Sequence, residues 1–162
     1  LHRPRRLLHW SAADVAAFAG AAIWTYLLIP FVLHRPGFEL QALPPRQGLR
    51  RLRVRFPTAV ATHSPEQVLH VDGDGLIRRH DYTALAFGRW ARAAQTLHAY
   101  RSFDGLLVAT RRRVTPRMAG RSTSRPTLVW IEIDHVGWGP APPEHREARR
   151  PPQAPAAGKA GS

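Results

Sequence analysis

The chain has 162 residues, of which 24 are Lys or Arg and 11 are Asp or Glu, giving a formal net charge of +13. That length holds one domain with tails, and the lack of cysteine excludes disulfides and thiolate metal sites. The charge favours anionic partners. Lys159 is the only lysine, however, and an Arg-, Ala-, Pro- and Gly-rich composition is also what GC-rich coding yields, so most of the arginine reads as solvated surface.

Residues 1–10 are a basic lead-in carrying Arg3, Arg5 and Arg6. From Val15 to Leu33 no charge occurs, which predicts one long apolar helix over Ala12–Ile29, ended by Pro30. Ser11 and Asp14 have the spacing of a capping box, and Trp10 is placed to staple against Val15. A helix apolar on all sides must be enclosed by protein or by lipid. The stretch is slightly shorter than the roughly 20 residues a bilayer span needs. Basic residues flank both ends, since His34 and Arg35 follow it, so no charge asymmetry orients it. No small-residue cleavage motif marks a signal. A buried core helix is the first reading and membrane association the second.

Everything from Phe38 to Val136 reads as β. Phe38–Leu43 is a short strand stopped by Pro44-Pro45. Leu49–Phe56 alternates, with Leu52, Val54 and Phe56 on one side and Arg51, Arg53 and Arg55 on the other, the pattern of a half-buried antiparallel strand. After a loop from Pro57 to Pro65, Gln67–Val71 pairs with Leu76–Tyr82 across Asp72-Gly73-Asp74-Gly75, a run suited to a tight turn. It lacks the spacing and distal Glu of a calcium loop. Within Leu76–Tyr82, strict alternation puts Ile77, Arg79 and Asp81 on one side and Arg78, His80 and Tyr82 on the other. Leu85–Ala94 is a loop or short helical turn. Gln95–Ser102 then forms a hairpin with Leu106–Val114 across Phe103-Asp104-Gly105. A turn over Gly120–Pro126 leads to a last strand, Thr127–Val136. The domain is thus residues 11–137, and 138–162 are a disordered Pro/Ala/Arg tail.

The chemistry is less legible. His63, His70 and His80 lie in neighbouring elements with Glu66 and Asp81, but no pair has a familiar metal spacing, and no cofactor motif occurs. Arg79 and Asp81 can form a same-side ion pair or bind Arg111 or Arg113 of a neighbouring strand.

Several motifs resemble, as a set, a family of bacterial proteins of unknown function. They are Phe18-Ala19-Gly20-Ala21 with Trp24, Tyr26, Pro30 and Phe31; Arg55-Phe56-Pro57; Ala61-Thr62-His63-Ser64; Asp72 to Leu76 with Arg79-His80-Asp81-Tyr82; and Asp104-Gly105 leading to Thr110-Arg111-Arg112-Arg113. The likeness spans roughly Ser11 to Val136. It implies a further β-rich segment ahead of the helix and supplies no catalytic residues. A helix laid in a curved antiparallel sheet is also similar to the lipoprotein-carrier half-barrels, which implies a site for acyl chains.

The expected fold is therefore α+β, a curved antiparallel half-barrel wrapped on one long N-terminal helix. The expected partner is a hydrophobic or amphipathic small molecule or lipid, held by Phe18, Trp24, Tyr26, Arg79, Asp81, Trp90 and Trp130, with no cofactor. One alternative is an enzyme pairing His63 or His80 with Asp81. Another is an anionic-surface binder using Arg51, Arg53, Arg55, Arg111 and Arg113. No specific nucleic acid is expected. The compartment stays open between cytoplasm and membrane association.

Overall fold

A computed structural model describes residues 11–137. The basic lead-in, the Trp10 staple and the tail lie outside the described residues. One helix, α1 (Ala12–Leu28), precedes eight strands: β1 (Glu39–Arg46), β2 (Leu49–Arg55), β3 (Glu66–Val71), β4 (Ile77–Thr83), β5 (Arg92–Phe103), β6 (Leu106–Met118), β7 (Arg121–Ser122) and β8 (Val129–Glu132). The strands run in chain order as an antiparallel meander from β1 to β7, and β8 pairs with β6. The sheet does not close.

The helix starts as its sequence directs. Ser11 Oγ accepts from the Asp14 amide, and the Asp14 carboxylate accepts from the Ser11 amide at 3.0 Å. This answers two of the donors left over at a helix start and puts negative charge at the positive dipole end. At 17 residues the helix is shorter than a membrane span, and no described helix is long and apolar enough to cross a bilayer. Only one stripe of it meets the sheet: Ala22, Thr25 and Tyr26 are buried, with Phe18 half-buried beside them. The first reading, a helix enclosed on all sides, is therefore corrected. The apolar residues facing away, including Ile23, Trp24 and Leu27, are exposed.

Two apolar clusters join α1 to the sheet. Ile29 and Val32, just past the helix, pack on Val54, Phe56, Leu69, Ile77 and Leu97. Ala22 and Tyr26 pack on Tyr82, Ala84, Ala93 and Val114, with Phe18 and Phe87 alongside. This surface is the helix side of the sheet.

Four expectations about the strands change. β1 runs through Pro44-Pro45 rather than stopping there, because it is an edge strand whose missing amide donors face solvent, with irregular register between Leu43 and Arg46. In β4, His70 pairs with Arg79 but Val71 pairs with Ile77, so Arg78 is the extra residue of a bulge. The bulge breaks the alternation and moves Ile77 to the helix side with His80 and Tyr82, away from Arg79 and Asp81. The segment after Ala84 is a turning loop as expected, but β5 begins at Arg92 rather than Gln95. The last strand shrinks to four residues, since β8 pairs only with Arg111–Val114 and β7 takes the edge of β6 beyond, at Arg117 and Met118.

Candidate functional site

Between the two apolar clusters, on the helix side, lies a layer of buried polar groups. Register explains why they meet. Gln67 pairs with Tyr82, His80 with Gln95, and Gln95 with Val114, so four adjacent strands deliver one row of side chains toward α1. The Tyr26 hydroxyl from the helix is hydrogen-bonded to the Tyr82 hydroxyl, and the His80 ring to the Gln67 carboxamide. Gln67 Nε2 also donates to the Ser64 carbonyl at 2.7 Å, which fixes the loop that carries His63.

His63 is 5% exposed and sits among the rings of Phe18, Tyr26 and Tyr82, at centroid distances of 6.2, 5.4 and 4.5 Å. Neither of its nitrogens has a partner among the described residues. Gln95, 0% exposed, has neither amide atom in good bonding geometry among the described residues, but its carboxamide lies against the His80 ring and favours that ring's charged form, so a weak bond to His80 is its one polar contact there. Orphaned buried polar atoms are rare and cost about 1–3 kcal/mol each.

Burial decides the charge state of the layer. Desolvation lowers His63 to about 4. His80 falls to about 3, chiefly through desolvation, with repulsion from His63 next. The Tyr26 phenol is pushed up to about 12 by burial, and Tyr82 higher still. All four are therefore neutral at physiological pH.

The one formal charge here is Arg112, 3% exposed. Its guanidinium donates to the Tyr26 and Ala109 carbonyls. The Tyr26 carbonyl belongs to the last helical turn, which contains no basic residue of its own. A strand cation thus caps the negative end of the helix dipole.

The other side of the sheet has a different centre. Asp81 receives Arg79 through two bonds of 2.6 and 2.9 Å, Arg117 Nη1 at 2.7 Å and His70 Nε2 at 3.1 Å. Arg117 reaches from β6 to β4 across Ala94, whose methyl leaves the path open. Arg79 also donates to the Gly120 carbonyl, tying down the β6–β7 turn. Burial alone would raise the Asp81 carboxyl, but the bonds from His70, Arg79 and Arg117 outweigh it and hold the group well below the usual range.

The structure thus divides the residues singled out from sequence. Phe18 and Tyr26 join the neutral layer, whereas Arg79 and Asp81 lie on the far side. Trp24, Trp90 and Trp130 are exposed on the helix, the loop after Ala84 and β8. The pairing of His63 or His80 with Asp81 does not form, because alternation sends them to opposite sides and His70 takes Asp81. The arginine ladder is on the far side and largely engaged: Arg53 and Arg55 face Glu66, Arg55 also faces Glu39, and Arg111 faces Glu132. Arg51 donates to the Pro44 carbonyl, and Arg113 to Thr127 and Ser124. Gln67, Gln95 and Arg112 were missed. Their signal was positional, since each shares strand parity with an apolar inward neighbour.

Among the described residues no three His, Asp or Glu side chains gather as metal ligands. Compared with known proteins, the chain matches no family model, no curated protein and no solved structure.

Proposed function

We propose that this protein binds an amphipathic small molecule at the junction of α1 and the sheet, with its polar end in the neutral layer. The observation that carries this is His63, buried among aromatic rings between two apolar clusters with neither ring nitrogen partnered among the described residues, beside a poorly bonded Gln95. A neutral imidazole and a carboxamide together offer donors and acceptors with no net charge. They complement a hydroxyl, an ester or a protonated carboxyl group. The ligand's apolar part would lie along the flanking clusters, the open sheet acting as a half-barrel trough and α1 as its cover. Arg112 holds the closed end of that cover.

The test is extraction. Protein purified from expressing cells is analysed by native mass spectrometry, then extracted with organic solvent. A retained amphiphile near one per chain is expected, and Gln95→Leu should lose it while keeping the fold. A fluorescent fatty alcohol serves as a direct probe. Absence of any retained molecule, together with probe binding unaffected by Gln95→Leu, would remove the proposal.

A further inference from the structure

The far side of the sheet ends in a groove that neither the Asp81 centre nor the buried layer uses. Strand register sets its floor. Arg55 pairs with Glu66 and Thr83 with Arg92, and one step on from the Gln67–Tyr82 pair Glu66 comes opposite Thr83. One far-side row therefore crosses from β2 to β5. The loops before β3 and after β4 rise beside it, and Pro65, Glu66, Thr83, Leu85, Arg89 and Arg92 line about 340 Å³.

The walls are tied to each other by the protein itself. Ser64 Oγ donates to the Glu66 carbonyl at 2.8 Å and accepts from the Thr83 amide at 3.3 Å. The Leu85 amide donates to the His63 carbonyl at 3.4 Å, joining one loop to the other. The loop after β4 is also closed on itself, by Ala84 amide to Ala91 carbonyl at 2.9 Å and Ala91 amide to Gly88 carbonyl at 3.1 Å. Walls fixed in advance lower the ordering cost of binding.

Charge identifies the ligand class. Both carboxylates of this part of the far side are committed. Glu66 is faced by Arg53 and Arg55 at 3.6 and 3.7 Å, and Asp81 accepts from His70, Arg79 and Arg117. Arg89 and Arg92 have no ion pair or hydrogen bond among the described residues. Two unpaired guanidiniums in one groove select an anion with several acceptor oxygens, which is the chemistry of phosphate. The rest of the lining narrows the class. The Glu66 carboxylate repels a bare phosphate but accepts from hydroxyl groups, and the Thr83 hydroxyl can donate or accept. Pro65 and Leu85 add only a short apolar wall, and the volume is at the small end for ligand sites.

We infer that this groove binds a small sugar phosphate, its phosphate between Arg89 and Arg92 and its hydroxyls on Glu66 and Thr83. The groove is on the opposite side of the sheet from the His63 ring, and the inference does not rest on the proposed amphiphile.

The experiment is isothermal titration calorimetry of the full chain at low salt with ribose 5-phosphate, inorganic phosphate and ribose. Ribose 5-phosphate should bind at least about tenfold more tightly than either of its parts. Arg89→Gln with Arg92→Gln, both exposed and unbonded, should weaken it about tenfold or more with the melting temperature unchanged. Thr83→Val should weaken ribose 5-phosphate about threefold and leave inorganic phosphate as it was. Arg101→Gln with Arg111→Gln removes the same charge near the other end of β5 and should change binding less than about twofold, which separates the groove from general attraction of a basic protein. Equal loss from both arginine pairs would overturn the inference. So would no binding of ribose 5-phosphate up to about 10 mM, or inorganic phosphate binding as tightly as the sugar phosphate.

Discussion

On the far side of the sheet Asp81 accepts from His70, Arg79 and Arg117, while on the helix side the two ring nitrogens of His63 have no partner among the described residues. Both groups are buried, and both are built from residues of β4 and its neighbours. The far centre uses charge to hold an outer turn against the sheet and gives its carboxylate three donors, although the Arg117 Nε beside it has no partner among the described residues. The near layer is neutral, aromatic and incompletely bonded. Two kinds of buried polarity therefore differ in charge: a carboxylate with three donors fixes the fold, and a neutral imidazole without a partner is what the proposed ligand would complete.

The sharpest break of that comparison is Asp81→Ala, which leaves two arginines facing each other without their counter-ion. A loss of about 3–5 kcal/mol is expected from denaturant midpoints, whereas Asp81→Asn, which keeps an acceptor oxygen, should lose less. Acid separates the two sides next. His63 and His80 are held near 4 and 3 in the fold against an ordinary 6.5, so the unfolded chain binds more protons between those values. Stability then falls as pH drops from about 6.5 towards 4, with His63 alone accounting for on the order of 3 kcal/mol. The depressed Asp81 adds a further decline below its unfolded value of about 3.8 as it protonates. His63→Phe should shrink the first phase to the part due to His80 and spare the second, which urea titrations across pH will show.

Smaller effects refine the contrast. Arg112→Met should cost about 1.5–3 kcal/mol and speed amide exchange at Leu28 and Ile29. Gln95→Leu should do the opposite of an ordinary core change, raising the stability of the ligand-free protein by about 1 kcal/mol, because it removes two buried atoms whose one polar contact, to His80, is poorly aligned. Thermal melts of ligand-stripped protein decide this. Least affected will be Arg55→Ala, at about 0.5 kcal/mol or less, since its partners Glu39 and Glu66 are solvated.

Sequence patterning revealed the meander and the capped helix because both depend on local chemistry: turn residues, β-branched runs and the Ser11–Asp14 pair. It misplaced Ile77 because a bulge has no signature in alternation alone. It named Arg111 and Arg113 and passed over Arg112 between them, the one of the three that turns toward the helix. It also treated the uncharged stretch as evidence for enclosure, although hydrophobicity says only that water is disfavoured and not what replaces it. The site eluded it for a related reason. Gln67 and Gln95 look like ordinary polar strand residues until register places them in one row with His80.

The Arg112 bond has a consequence for biogenesis. The residue that completes the end of α1 is 86 positions later in the chain, so during synthesis the helix emerges with its final carbonyls unanswered and its sheet not yet made. For that interval a greasy segment is available to any nearby acceptor, including a chaperone or the bilayer itself.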